Sequence, residues 1–184
     1  PLTPAALCGV AASYEFAGRY NAATYIYQKI LNKYPDSAEA QYIPLVLDGI
    51  NILSLIKEER YSAAATAIQE LTKVYPDNTG VLYRIGERYE SVGRLQDANN
   101  IYKKIVPLES NSPKNTRWAE LGLSRVNILS NIGSGNYPAA DESVNKMIED
   151  FSGHQGMPAT LYGIAKKYHF LKEYSRAKSI YQRI

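Results

Sequence analysis

Ser54-Leu55-Ile56-Lys57 comes nearest to covalent chemistry, because Ser-x-x-Lys is a spacing used by nucleophilic serines. Such a serine needs Ser-Asp-Asn and Lys-Thr-Gly elements beside it, and neither occurs in the chain. Its counterpart, Ser130-Asn131-Ile132-Gly133, lacks the lysine, so the match reads as chance within a helix. The two histidines, His154 and His169, are well separated, with no cysteine or carboxylate ligand pattern near them. A surface or groove role is expected for both rather than a metal site. Gly133-Ser134-Gly135 lacks the third glycine and the preceding strand of a dinucleotide fingerprint, and reads as a turn. No Ser/His/Asp or Cys/His set converges by spacing. The expectation is a chain that is not an enzyme and carries no cofactor and no metal.

The elements that hold these residues are helices in repetition. A Tyr-x-x-Ala pair recurs at Tyr20/Ala23, Tyr61/Ala64, Leu95/Ala98, Tyr137/Ala140 and Tyr174/Ala177, with Leu95 the one departure from Tyr. The interval between successive alanines is that of one helical hairpin. Four residues after each alanine come Tyr27, Ile68, Tyr102, Val144 and Tyr181, and three further on Ile30, Leu71, Ile105, Met147 and Ile184. That i, i+4, i+7 stripe is one buried helix face, and the small alanine admits a second helix close by. Tyr34-Pro35-Asp36-Ser37 and Tyr75-Pro76-Asp77-Asn78 stop one helix and cap the next.

Upstream lies a partner helix. Small residues (Ala11, Gly86, Ala165) stand twelve before the alanine in three copies, and Tyr14, Tyr89 and Tyr168 stand nine before it. Gly18, Gly93 and Gly135 supply the turn between the two helices. This pattern resembles the tetratricopeptide repeat, most fully in Leu82-Tyr83-Arg84-Ile85-Gly86-Glu87-Arg88-Tyr89 with Gly93, Ala98 and Tyr102. The resemblance covers nearly the whole chain. It implies an all-α fold, a right-handed α-α superhelix (solenoid) of about five hairpins at 2–35, 39–76, 79–107, 116–152 and 158–184, forming a single domain over 1–184.

The copies alternate between two types. Asn51-Ile52-Leu53-Ser54 returns as Asn127-Ile128-Leu129-Ser130, and Tyr83–Tyr89 returns as Tyr162–Tyr168, in each case two hairpins further on. The second type opens with a longer helix, from about Thr116 to Ile132. Asn51 and Asn127 stand where an apolar residue is usual, to bond a backbone group inside the stack or to face a bound segment.

With 184 residues, 45% of them hydrophobic, the chain can bury a continuous core. Sixteen tyrosines against three phenylalanines suit rings packed inward with hydroxyls at an edge or groove. One cysteine, Cys8, excludes an intrachain disulfide framework. No run is long and apolar enough for direct membrane insertion, and the start shows no signal-peptide pattern. The expectation is an excised piece of a longer array. The net charge of +3 is uneven: residues 158–184 hold six bases and one acid, for +5, and the remainder sums to −2. That end steers an acidic partner, or is an internal face that continues into an acidic repeat. Nucleic-acid binding is not expected, since no sequence-reading motif is present.

In the family the first helix of each hairpin lines the concave surface. The resemblance thus places a protein-binding groove at Tyr83, Glu87 and Glu90, at Arg125 and Leu129 (with Ile132), and at Tyr162, Lys166, His169 and Phe170. Cys8 and Ala12 occupy two places of the family's Lys/Asn carboxylate clamp, which disfavours a receptor for chaperone tails. The function implied is a non-catalytic scaffold that binds protein or peptide partners and supports assembly of a multisubunit complex, with homo-oligomer formation as one mode. The alternative is a structural or recognition arm of a larger enzyme. The Tyr-Pro-Asp-Ser junctions resemble those of bacterial extracytoplasmic repeat proteins, which favours a periplasmic setting.

Overall fold

A computed structural model describes residues 2–108 and 113–184. Within them the chain forms ten α-helices and no strand: α1 (Pro4–Phe16), α2 (Tyr20–Lys33), α3 (Ile43–Lys57), α4 (Tyr61–Val74), α5 (Thr79–Ser91), α6 (Leu95–Ile105), α7 (Pro113–Gly133), α8 (Tyr137–Asp150), α9 (Met157–Phe170) and α10 (Tyr174–Tyr181). Single 3₁₀ turns lie at Glu39–Gln41 and Val106–Leu108. Consecutive helices pair as hairpins and gather into two compact units, one ending at Val81 and the other running from Leu82 to Ile184. Among the described residues, no helix is long and apolar enough to cross a membrane.

The helix boundaries follow from local chemistry. Thr3 accepts a hydrogen bond from the Ala6 amide at 3.2 Å ahead of Pro4 in the first turn of α1. After the two Tyr-Pro-Asp junctions, Ser37 accepts from the Ala40 amide at 3.2 Å and Asn78 from the Val81 amide at 2.9 Å. Asn78 caps α5 directly, whereas Ser37 holds the 3₁₀ turn that leads into α3. Between the helices of each hairpin the backbone turns left-handed. Gly18, Gly93 and Gly135 do this at φ 68°, 77° and 75°, and Glu59 and Lys172 hold the same place at φ 59° and 64°. A side chain in that conformation costs roughly 1–2 kcal/mol, which the closed hairpins around Glu59 and Lys172 offset.

The five repeat alanines are all buried: Ala23, Ala64, Ala98 and Ala140 at 0% exposure and Ala177 at 2%. The stripe that follows each alanine is buried in the first four copies, while Tyr181 and Ile184 in the fifth are 37% and 53% exposed. In the second unit a continuous core runs through Leu121, Ile128, Val144, Phe151, Leu161, Ile164 and Tyr168. The ring of Tyr102 on α6 is also fully buried. A methyl group added at Gly86 of α5 would stand 2.5 Å from Tyr102 Cε1, and one added at Gly122 of α7 would stand 2.7 Å from Cε2. The ring fills the gap between two glycine backbones and cannot retreat from either.

Gly122→Ala is therefore expected to destabilise the second unit by about 1–3 kcal/mol, the usual effect of overpacking. Gly163→Ala is its control, because nothing lies within 4 Å of the added methyl. It should raise stability by about 0.5–1 kcal/mol, as Gly to Ala does inside a helix. Denaturant unfolding of the two variants measures the difference, and a stabilised Gly122→Ala would contradict this packing.

Candidate functional site

The first helices of the three hairpins in the second unit, α5, α7 and α9, line a groove of about 470 Å³. Helix α5 contributes Glu87, Glu90 and Ser91; α7 contributes Trp118, Arg125 and Leu129. The opposite wall is Gln155 and Gly156, then Ala159, Thr160, Gly163 and Ile164 of α9. Small residues at Ala159 and Gly163 stand one helical turn apart, and their size leaves the space open.

An ion pair forms the floor. Arg125 donates from Nε to Glu90 Oε1 and from Nη2 to Glu90 Oε2, both at 2.6 Å. The Tyr102 hydroxyl donates to Glu90 Oε2 at 2.7 Å, and Arg125 Nη1 reaches Thr160 Oγ1 at 3.4 Å. The side chains of Arg125 and Glu90 are only 17% and 9% exposed. Burial works to lower the arginine pKa, but the hydrogen bonds and charge of Glu90 outweigh it and the net shift is upward. The guanidinium stays charged throughout the accessible pH range. For Tyr102, burial first and the Glu90 charge second push the phenol far above its usual range, so it donates and does not ionise. Fork-to-carboxylate pairing of this kind is directional as well as strong.

Beside this floor stands a second carboxylate, Glu87, which is exposed to the groove. Nearby protein bulk raises its pKa; the Tyr83 hydroxyl and Arg125 oppose the shift, and Glu90 adds to it. Tyr83 itself packs between Tyr102, at 5.7 Å between ring centroids, and Trp118, at 6.0 Å. Its buried hydroxyl makes no hydrogen bond of good geometry, and Glu87 and Arg125 are the charged groups that act on it. Burial and then the Glu87 charge raise its pKa. His154 lies edge-on to Trp118 at 4.6 Å and its Nδ1 accepts from the Gly156 amide at 3.1 Å. Its pKa is lowered by burial and then by Arg117, which keeps it a packing residue beside the groove.

Of the residues expected from sequence, Glu87, Glu90, Arg125 and Leu129 meet in this groove, with Tyr83 packed beside it. Glu90 and Arg125 spend their charges on each other, which leaves Glu87 as the carboxylate that the groove presents to solvent. Ile132 is buried in the core and offers nothing to the groove. Tyr162, Lys166, His169 and Phe170 are exposed on α9 and do not line this groove. Trp118, Thr160 and the Ala159/Gly163 pair were not anticipated. Trp118 had a signal, since it stands two helical turns before Arg125 and so shares its helix face. Asn51 and Asn127 both prove exposed and not inside the stack. Asn127 donates from Nδ2 to Ser143 Oγ at 3.2 Å on the surface, because neighbouring Ile128 takes the inward position.

The Ser-x-x-Lys match lies in the first unit and its members point to different partners. Ser54 donates to Glu58 Oε1 at 3.0 Å, and Lys57 donates to the Gly18 carbonyl at 3.0 Å. Among the described residues no three His, Cys, Asp or Glu side chains stand together as a metal-holding group.

Residues 6–37 match the tetratricopeptide repeat family, over a stretch that holds α1 and α2. The chain is similar in fold to the crystal structure of a tetratricopeptide repeat protein from Parabacteroides merdae, with a TM-score of 0.54 and 17% identity. That similarity covers 100% of this chain and 64% of the other, so this chain spans less than two thirds of that protein's length. Comparison with curated proteins gives no match. The fold is thus an all-α array of helical hairpins of the tetratricopeptide repeat kind.

Two measurements check the electrostatics of the groove. Arg125→Ala leaves the Glu90 carboxylate buried without its counter-charge and should cost about 3–5 kcal/mol of stability. Pairing Arg125→Met with Glu90→Gln should recover more than half of that, since no buried charge then remains. For Glu87, the folded pKa lies above the unfolded one, so ionisation disfavours the folded state above that pKa and the penalty disappears below both values. Glu87→Gln is therefore expected to be more stable than the parent at pH 7, with the gap closing as pH falls toward 3. Carboxyl NMR should show Glu87 titrating above an ordinary exposed glutamate.

Proposed function

We propose that this chain is a protein-interaction scaffold whose groove between α5, α7 and α9 holds an extended or helical segment of a partner. The observation that carries the reading is the combination of a rigid, self-neutralised floor with an exposed carboxylate above it. The Glu90–Arg125 pair fixes the helix spacing before any ligand arrives, so little ordering cost remains for binding. Trp118, Leu129 and Ala159 accept an apolar side chain, and Glu87 accepts a neighbouring Lys or Arg. The segment that fits is therefore an apolar anchor flanked by a basic residue. Assembly of a multisubunit complex follows when such a segment belongs to another subunit, and self-association is the special case in which it belongs to a second copy.

Selection of displayed peptides on the immobilised chain tests this. The recovered sequences should share an apolar residue next to Lys or Arg. Ala159→Trp, which fills the groove, should weaken them at least about tenfold while leaving the circular dichroism melt in place. Their affinity should fall as the pH is lowered through the raised pKa of Glu87, where the carboxylate loses its charge, and Glu87→Gln should abolish the fall. Peptides that bind Ala159→Trp as well as the parent would place the interaction elsewhere.

A further inference from the structure

The loop between α8 and α9, residues 151–156, is closed by a histidine. His154 Nδ1 accepts a hydrogen bond from the Gly156 amide at 3.1 Å, so the neutral ring carries its proton on Nε2. The His154 amide donates to the Phe151 carbonyl at 2.9 Å, and the Met157 amide donates to the His154 carbonyl at 2.9 Å. These two bonds fix the backbone on either side of the ring. The imidazole stands edge-on to Trp118 of α7, with 4.6 Å between ring centroids, and to Phe151, with 6.1 Å. Gly156 lies so near the same indole that an added methyl group would clash with it. The loop therefore rests on Trp118 through two residues, and one ring nitrogen ties those two together.

Nδ1 is also the atom that takes up the second proton. Once protonated it can only donate, so it turns the Gly156 N–H away. Among the described residues, the charge acting on the ring is that of Arg117, a second cation. Arg117 of α7 lies over the Phe151 ring at 4.3 Å, pairs with Glu120 at 3.0 Å and donates to the Asp150 carbonyl. Glu149 and Asp150 at the end of α8 are solvent-exposed. Helix α5 reaches Trp118 through Tyr83, whose phenol burial keeps protonated. Helix α9 brings no charged side chain before Lys166, and its N-terminus at Met157 disfavours a cation nearby. Burial and then Arg117 hold the His154 pKa below the ordinary histidine value. For such a base, stability is whole above the unfolded-state pKa and is lost as pH falls through the folded-state one.

We propose that His154 is an acid-released latch: protonation of Nδ1 frees the Gly156 amide, loosens the loop from Trp118 and uncovers the indole, while α5, α7 and α9 keep their packing. Release needs no movement of a helix, because the bond that breaks joins residues two apart within the loop. The contacts proposed for the ligand of the groove, Glu87, Trp118, Leu129 and Ala159, sit on the helices and not on the loop. Latch and groove therefore stand or fall separately.

Trp118 is the one tryptophan of the chain, so acrylamide quenching of intrinsic fluorescence reads this place alone. The full chain, without ligand, is taken from neutral pH down through the histidine range while NMR follows the His154 ring and the exchange of the Gly156 amide. Quenching of Trp118 should rise with the same midpoint as the His154 ring titration. Gly156 exchange, corrected for its intrinsic pH dependence, should quicken about fivefold, the worth of one hydrogen bond. His154→Gln supplies an amide oxygen that accepts from Gly156 and takes no proton, so the loop should stay closed across the titration. His154→Leu, with no acceptor, should show the released loop at neutral pH. His169→Gln removes the other histidine and should leave the transition where it was. The proposal is overturned if Gly156 exchange and Trp118 quenching stay level while the His154 ring titrates, if the response survives His154→Gln, or if it disappears in His169→Gln.

Discussion

The second unit depends on how one tyrosine is held. The Tyr102 ring lies where glycines on α5 and α7 leave room for nothing larger than hydrogen. Its hydroxyl ends on Glu90, and Glu90 is gripped from α7 by Arg125. The apolar and polar ends of one side chain therefore specify the same helix spacing. Packing sets the distance between backbones, and the carboxylate–guanidinium fork sets the rotation, since a bidentate pair tolerates little twist. Were the ring alone buried, its hydroxyl would need a partner in a low-dielectric site; were the ion pair alone present, its desolvation would have little to offset it.

A related device operates toward the other end of the unit. The Tyr168 hydroxyl donates to Asp141 Oδ1 at 2.8 Å, and Arg176 donates to Asp141 Oδ2 at 2.9 Å while its guanidinium lies over the Tyr137 ring at 4.9 Å. Phenol, carboxylate and guanidinium again meet across helices. The richness in tyrosine that the composition displays thus has a structural use: the ring joins the core and the hydroxyl fixes an acid that in turn fixes a base. In the first cluster the arginine comes from the hairpin after that of the tyrosine, and in the second from the tyrosine's own hairpin.

Much of the fold was legible because its signals are local. Alanines at hairpin intervals marked the helix crossings, and all five are buried. Glycines marked left-handed turns, and Ser37 and Asn78 after Tyr-Pro-Asp marked restarts, since a cap acts over three residues. Glu59 and Lys172 show where that reading stops. No residue preference marks a left-handed turn there, and only closure of the hairpin imposes it. The place inside the stack expected as one alternative for Asn51 and Asn127 fails for a similar reason. A shift of one residue along a helix turns a side chain by about 100°, and their neighbours Ile52 and Ile128, each near-fully buried, take the inward direction.

By itself the sequence determined the helical periodicity, the punctuation of the hairpins and the identity of most residues facing inward, because each of these is an interaction between residues less than two turns apart. It also held the match between the segments that begin at Tyr83 and Tyr162. Tertiary structure alone decided that Glu90 and Arg125, 35 residues apart, neutralise each other while Glu87 faces solvent. It likewise decided that Tyr102 is sealed under Gly122 while its counterpart Tyr181 stays open. Identical local patterns carry no record of which neighbour lies across the gap, and charge and exposure are settled only by that neighbour.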